Sequence, residues 1–463
     1  MKSDTIAAIA TAMSNAGISI IRISGEEAFT IIEKIYHSPN PKKVISEEKS
    51  HTVHYGYIYD GEEEIDEVLV LLMRGPHSYT GEDVVEIDCH GGITVTKKIL
   101  ETVLKYGARP AEPGVFTKRA FLNGKMDLSQ AEAVIDIINA KNEYALKSSI
   151  RQLRGNILEK IKDIRKNVIR DVAFIEAALD DPEHMSVDGF GETLLENVNQ
   201  NLKELEKLLK SADNGRRIKE GIRTVLVGKP NAGKSSLLNV LVGEDRAIVT
   251  DVEGTTRDIL EESINLDGVT LQIIDTAGIR DTKDQVEKIG VEKAREHAKE
   301  ADLIIYVADS SRELDENDME IIDILKEKQS IVLLNKMDLD NILTKEIMEK
   351  RLKDNGVCTT IIPISAKEEK GIEQLEETLK DMFYEGKLDF NDEIYITNAR
   401  HKAALQRSMD SLLQVKKSIE DEMPEDFYSI DLMEAYEALG EIIGESVGED
   451  LVNTIFSEFC MGK

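Results

Sequence analysis

The chain has 463 residues, 41% of them apolar, and carries 89 acidic against 58 basic side chains, a formal charge of −31 at neutral pH. At about 150 residues per domain this length predicts roughly three domains, each with enough apolar sequence for a core. The composition excludes a disordered or fibrous chain. No apolar run reaches the ~18 residues of a membrane span, and the N-terminus lacks the basic-then-apolar layout of a secretion signal, so a cytoplasmic protein without a membrane partner is expected. Cys89, Cys358 and Cys460 are too scattered for a disulfide framework or a CxxC zinc site, and two buried thiols plus one of interest are expected. Taken alone, the charge argues against nucleic acid, because phosphate binding starts from a basic footprint.

In chain order, the stretch up to Gly124 alternates short β-rich runs (Ile18 to Ile23, Val68 to Met73, Val84 to Ile87) with turns and a few helical stretches. That pattern predicts an α+β domain. From Met126 to Leu179 the pattern turns helical. Ser129 and Glu132 have capping-box spacing, and Ile157, Ile161, Ile164, Val168, Val172, Ile175 and Leu179 recur every three or four residues. A further helix over Leu194 to Leu209 leads to a basic break at Arg216-Arg217. From Ile222 to about Phe383 strands alternate with helices, the strands being Thr224–Val227, Thr270–Ile274, Leu303–Val307, Ile331–Leu334 and Thr360–Ile364. Regular β-α alternation implies a parallel sheet covered on both faces. From Asn398 onward the chain is helical again. The predicted architecture is a multidomain one: an α+β domain (1–124), helical segments (125–215 and 385–463), and a P-loop α/β domain (216–384) inserted between the two helical parts.

The run Gly228-Lys-Pro-Asn231-Ala232-Gly233-Lys234-Ser235-Ser236 follows a predicted strand and opens a helix. In such a GxxxxGK[ST] loop the backbone N–H groups surround phosphate, the lysine reaches the outer phosphates, and the serine ligates magnesium. Asp275-Thr276-Ala277-Gly278 ends a strand where an aspartate can hold the magnesium shell and a glycine N–H can meet the γ-phosphate. Asn335-Lys336-Met337-Asp338 ends another, where Asp338 can accept both guanine N–H donors, which adenine lacks, and Ser365-Ala366-Lys367 follows the last strand. Four ordered elements at strand ends define a GTP/GDP site. Switch I falls on Thr250-Asp251-Val252-Glu253-Gly254-Thr255-Thr256, where one threonine hydroxyl completes the magnesium shell, Thr256 being preferred. The residue after Gly278 is Ile279, which cannot orient an attacking water, so catalysis needs another group. An arginine finger or a potassium ion could supply charge at the transferring phosphate, and the Asn231 carbonyl suits potassium.

These residues and both chain ends resemble the tRNA-modification GTPase family called MnmE or TrmE. The opening Asp4-Thr-Ile-Ala-Ala-Ile-Ala, Ile20-Ile-Arg-Ile-Ser-Gly25, Thr80-Gly-Glu-Asp-Val-Val-Glu86, His90-Gly-Gly92, Arg119-Ala-Phe-Leu-Asn-Gly-Lys125 and the ending Phe459-Cys-Met-Gly-Lys463 carry the likeness. Met461 stands where the family has isoleucine or leucine. The resemblance implies a homodimer that forms a heterotetramer with the FAD-containing protein MnmG. Together they add an aminomethyl or carboxymethylaminomethyl group to carbon 5 of the wobble uridine of certain tRNAs. The one-carbon unit comes from a tetrahydrofolate, 5-formyl or 5,10-methylene. By position, Arg22, Glu82, Lys125 and Lys463 match folate contacts. Asn231, Thr250, Val252 and Thr255 match potassium ligands, Ser235 and Thr256 magnesium ligands, and Glu287 the glutamate that orients water. A ribosome-assembly GTPase without modification activity is the alternative that the G-domain motifs leave open.

Cys460 is a candidate nucleophile or redox thiol, with packing as its plainer explanation. Lys463 is the sole basic side chain among the last 44 residues, thirteen of which are acidic. His90 beside Cys89 completes no metal site and reads as a turn-packing histidine. Split by segment, the charge deficit is concentrated in the second half of the chain. Lys141 to Arg170 instead holds nine basic and three acidic residues, a candidate tRNA stripe that includes Arg151 and Arg154 or, equally, a solvated helix face.

Overall fold

The computed structural model describes residues 4–181, 184, 190–243, 262–266, 268–274, 296–384, 394–424, 426–460 and 462. The chain divides into two compact units, Met1–Ile135 with Arg151–Asn197 and Asp410–Lys463 in one, and Asp136–Ile150 with Val198–Met409 in the other.

The first unit contains a seven-stranded sheet of β1 (Ile6–Ile9), β2 (Ile18–Ser24), β3 (Tyr36–His37), β4 (Thr52–Asp60), β5 (Glu63–Met73), β6 (Val84–His90) and β7 (Arg109–Pro110). Their order is β3-β4-β5-β6-β2-β1-β7, antiparallel throughout except for β1 with β7. Side chains alternate across a strand, so Ile21 and Ile23 enter the core with Val70, Leu72, Val85 and Ile87, while Ile20 and Arg22 take the opposite face. Helices α1 (Ala28–Ile35) and α2 (Ile93–Lys105) close that core through Ile31, Ile32, Ile99 and Val103. Helix α3 (Val115–Leu122) follows.

Next come α4 (Leu128–Ile138), α5 (Glu143–Leu153), α6 (Asn156–Asp180) and α7 (Phe190–Glu220). The capping box of α4 lies two residues upstream of the expected one. The Asp127 carboxylate accepts the N–H groups of Ser129 and Gln130 at 2.8 and 3.3 Å, and the Gln130 side chain accepts the Asp127 N–H at 3.0 Å. Ser129 instead donates its hydroxyl to Asp127 at 2.6 Å, which makes it a supporter of the cap. Along α6 the expected apolar stripe is buried from Ile157 to Ile175, but Leu179 is 46% exposed and the stripe ends on Ala178. No break occurs at Arg216-Arg217. The helix continues through them because Arg216 pairs with Asp302 and Glu220, and the Arg217 guanidinium lies 5.3 Å from the Phe383 ring.

The second unit holds a six-stranded sheet of β8 (Ile222–Val227), β9 (Glu262–Leu266), β10 (Val269–Ile273), β11 (Leu303–Asp309), β12 (Gln329–Asn335) and β13 (Thr360–Pro363), ordered β13-β12-β11-β8-β10-β9. Five strands are parallel, as expected. The edge strand β9 is antiparallel to β10, joined by a turn in which Asn265 accepts the Gly268 N–H at 3.0 Å. Helices α8 (Lys234–Val242), α9 (Glu316–Ile324), α10 (Lys345–Asp354) and α11 (Ile372–Tyr384) alternate with these strands. Apolar clusters lie on both sheet faces, one around Leu237, Ile305, Leu333 and Leu375, the other around Ile304, Tyr306, Val332 and Met348.

The chain ends in α12 (Ala399–Glu420), α13 (Asp426–Ile443) and α14 (Glu449–Ser457). Within the first unit α6 packs along α13, where Arg165 donates to the Tyr436 carbonyl at 3.2 Å, stacks 3.9 Å from the Tyr436 ring and pairs with Glu445. The α/β sheet thus lies in sequence between two helical stretches, as the pattern predicts.

Candidate functional site

The loop from β8 to α8 carries the phosphate motif. Gly228 has φ +151°, and a Cβ there would lie 2.4 Å from the Val307 carbonyl of β11, so only glycine fits. Asn231 and Gly233 also have positive φ (+64° and +101°), which turns the loop tightly before the first turn of α8. The Lys234 ammonium lies inside the loop, donating to the carbonyls of Gly228 and of Lys229, the latter at 2.8 Å. Burial lowers its pKa to about 8, because a desolvated ammonium loses its hydration. Ser235, Ser236 and the Asn231 side chain are exposed at the loop rim. A half-buried lysine, helix N–H groups and rim hydroxyls fit a polyphosphate with magnesium.

At the base end, Asn335 ties three segments together. Its Nδ2 donates to the Ala232 carbonyl of the phosphate loop at 2.9 Å, and its Oδ1 accepts the Ala366 N–H at 3.0 Å. Asp338 accepts from the Ser365 hydroxyl at 2.8 Å. That bond, helped by Lys367 and Lys336, holds the Asp338 carboxyl below its ordinary pKa, so it stays ionised and able to accept guanine N–H donors. Lys336 has φ +67° and pairs with Asp309 at 2.6 Å. Lys229 pairs with Asp315, the N-cap of α9, and sits 3.8 Å from the fully buried Asp318. Sequence spacing signals neither Asp309 nor Asp315, since each pairing depends on which strand end faces which loop. Thr250 to Thr256, Asp275 to Gly278, Glu287 and Lys463 lie outside the described residues.

In the N-terminal sheet, Arg22 on β2 faces its ladder partner Glu86 on β6, with Nε 2.7 Å from the carboxylate. Glu82 accepts from the Ser24 hydroxyl at 2.8 Å and from Arg119 at 2.7 Å, and Arg119 also holds the Asp4 carbonyl at 2.6 Å. Lys125 donates to the Pro76 carbonyl at 3.1 Å. Arg22 and Ser24 are two residues apart on one strand, about 7 Å along it. The predicted residues Arg22 and Glu82 are therefore engaged through β2 in one polar cluster. Glu86 and Arg119 belong to it as well; both fall inside motifs singled out above, but the Glu86 pairing follows from the β2–β6 register and the Arg119 pairing from the docking of α3 against the loop before β6, which no local pattern encodes.

Cys89 is buried, with its thiol pushed up to about 11, whereas both Cys358 and Cys460 are exposed. The expectation of two buried thiols fails at Cys358, which lies in the exposed turn after α10. His90 pairs with Asp66 at 2.7 Å. Within the basic stripe Arg154, Lys162, Lys166 and Arg170 are exposed, but Arg165 is buried against Tyr436 and Glu445 and so is removed from any nucleic-acid contact.

A glycine-built phosphate loop with an internal lysine, joined by an asparagine strut to a loop whose ionised aspartate can accept guanine N–H donors, defines a P-loop GTPase. The model for the GTP-binding protein TrmE N-terminus matches residues 5–125, and that for the MnmE helical domain matches residues 128–460. Similar proteins include the tRNA modification GTPase MnmE of Lachnoclostridium phytofermentans, 63% identical with 100% of both chains covered. Those of Clostridioides difficile (99% of both chains) and Thermoanaerobacter pseudethanolicus (100% of both) are each 50% identical. The chain belongs to the MnmE (TrmE) family of tRNA modification GTPases.

Proposed function

We propose that the protein hydrolyses GTP under potassium control and, with an FAD-containing partner, modifies carbon 5 of the wobble uridine of certain tRNAs. The group added is aminomethyl or carboxymethylaminomethyl, with its one-carbon unit drawn from 5-formyl- or 5,10-methylene-tetrahydrofolate. The observation that carries this reading is the joining, in one chain, of a guanine-nucleotide frame to a sheet bearing the Arg22–Glu86 and Glu82–Arg119 pairs. Carboxylates suit the donor edge of a pterin and guanidinium groups suit a glutamate tail.

In this reading residues 1–124 bind folate and dimerise, residues 216–384 bind GTP, and residues 125–215 with 385–463 form the helical domain. Ser235 and Thr256 hold magnesium, and Asn231, Thr250, Val252 and Thr255 hold potassium. These cations supply positive charge to the transferring phosphate. Lys234 grips the outer phosphates and Glu287 orients the water that Ile279 cannot. Cys460 is the candidate catalytic thiol, and Arg22, Glu82, Lys125 and Lys463 contact the folate. The assembly is a homodimer within a heterotetramer, working on tRNA in the cytoplasm.

GTP turnover in potassium and in sodium tests the hydrolytic half. Potassium should accelerate it, and Glu287→Ala should keep nucleotide affinity while losing turnover by about 10² or more, the usual size of a water-positioning effect. Equal rates in the two salts would contradict the cation assignment.

A further inference from the structure

We propose that Arg22 is a positioning residue that latches the C-terminal tail to the N-terminal sheet and thereby fixes where Cys460 is presented. Its guanidinium carries two different loads. Nε meets Glu86 at 2.7 Å, and Nη1 donates to the Gly462 carbonyl at 2.9 Å. Its centre lies 5.4 and 5.6 Å from the Tyr79 and Phe116 rings, and its side chain is only 15% exposed. Glu86 is fixed by the β2–β6 register, so the fork is oriented before the tail arrives, a geometry that a lysine point charge cannot reproduce.

The tail is shaped to fit. Gly462 is buried at φ +84°, and a Cβ on it would stand 2.5 Å from the Ile9 carbonyl and 2.6 Å from the Ala10 Cα, at the end of β1. Upstream, Phe459 is 4% exposed and packs with Phe456, Leu128 and Val452. Gly114 donates to the Cys460 carbonyl at 3.5 Å, and a Cβ on Gly114 would lie 2.2 Å from the Phe456 carbonyl. Cys460 is thus an exposed residue between two anchors, an apolar one at Phe459 and a polar one at Gly462. Arg22 acts on whatever the tail touches by holding the tail, a role separate from the folate contact proposed above.

The test uses the full-length protein with Cys358→Ser. Cys460 is then the sole exposed cysteine, because Cys89 is buried, and it accepts a nitroxide label. Losing a hydrogen bond from a charged donor should shift the docked-to-released ratio about tenfold or more. Arg22→Gln is expected to add a mobile component to the spectrum. Gly462→Ala should do the same from the opposite side of the contact with Arg22 intact, and Arg22→Lys should restore only part of the docked signal. Unchanged spectra in Arg22→Gln and Gly462→Ala would overturn the latch. Calorimetry with 5-formyltetrahydrofolate separates the two roles. Weaker binding in both variants supports the latch. Weaker binding in Arg22→Gln with an unchanged spectrum, and normal binding in Gly462→Ala, overturns it and leaves a direct contact. Spectral release in a protein whose wild type binds no folate would sink the folate reading and keep the latch.

Discussion

At Asp338 we propose that a single carboxylate selects the base. It accepts from Ser365 and is kept ionised by that bond, so its acceptor character matches the two N–H donors of guanine. Asp338→Asn replaces an acceptor with a donor. GTP affinity should fall by about 10² or more, and a xanthine nucleotide, which presents a carbonyl where guanine has an amino group, should gain. Competition between the two nucleotides reads this directly. Lys234 gives a pH signature. Its pKa in the loop is about 8, and phosphate binds the protonated form and raises that value. Above pH ~8 binding therefore has to take up a proton, so nucleotide affinity should be flat from about pH 7 to 8 and fall toward tenfold by about pH 9. Flat affinity over that whole range would contradict the burial of this ammonium. Both residues are legible as sequence motifs because phosphate and guanine impose fixed spacing on short loops. Asn335 is legible only as part of a motif. Its work as a strut between Ala232 and Ala366 depends on three loops meeting, which no local pattern encodes.

Among the elements, the phosphate loop depends on how closely β8 and β11 approach. Gly228→Ala puts a methyl group against the Val307 carbonyl and at a φ that side chains rarely adopt. A fluorescent guanine nucleotide should bind at least about tenfold more weakly, because the loop must move before it can surround phosphate, while the core strands remain paired. Parallel strands announced themselves as continuous apolar runs. The edge strand β9 did not, since Glu262, Ser263 and Asn265 break the apolar pattern and its place is set by the hairpin turn at Gly268. The same limit explains α4, where two neighbouring acceptor-bearing residues, Asp127 and Ser129, compete for the cap and the carboxylate prevails. It also explains α7, where Arg216 and Arg217 read as a break until their partners Asp302 and Phe383 are in place.

For the whole molecule, the charge of −31 is a statement about distribution. Arg154, Lys162, Lys166 and Arg170 are exposed on a protein that is acidic as a whole, which leaves the stripe open either to phosphate or to solvent alone. The order α+β domain, helices, α/β domain, helices was legible because each change of hydrophobic period marks a change of layer. Arg22 shows what was not legible, because its partner Gly462 lies 440 residues away and only the folded chain joins them. We propose that this GTPase serves wobble-uridine modification. Mass spectrometry of tRNA nucleosides from cells lacking the protein tests it most directly. Loss of the 5-aminomethyl and 5-carboxymethylaminomethyl uridines is expected, with restoration by the wild-type chain and not by Glu287→Ala. Unaltered levels of both nucleosides in the deletion strain would contradict it.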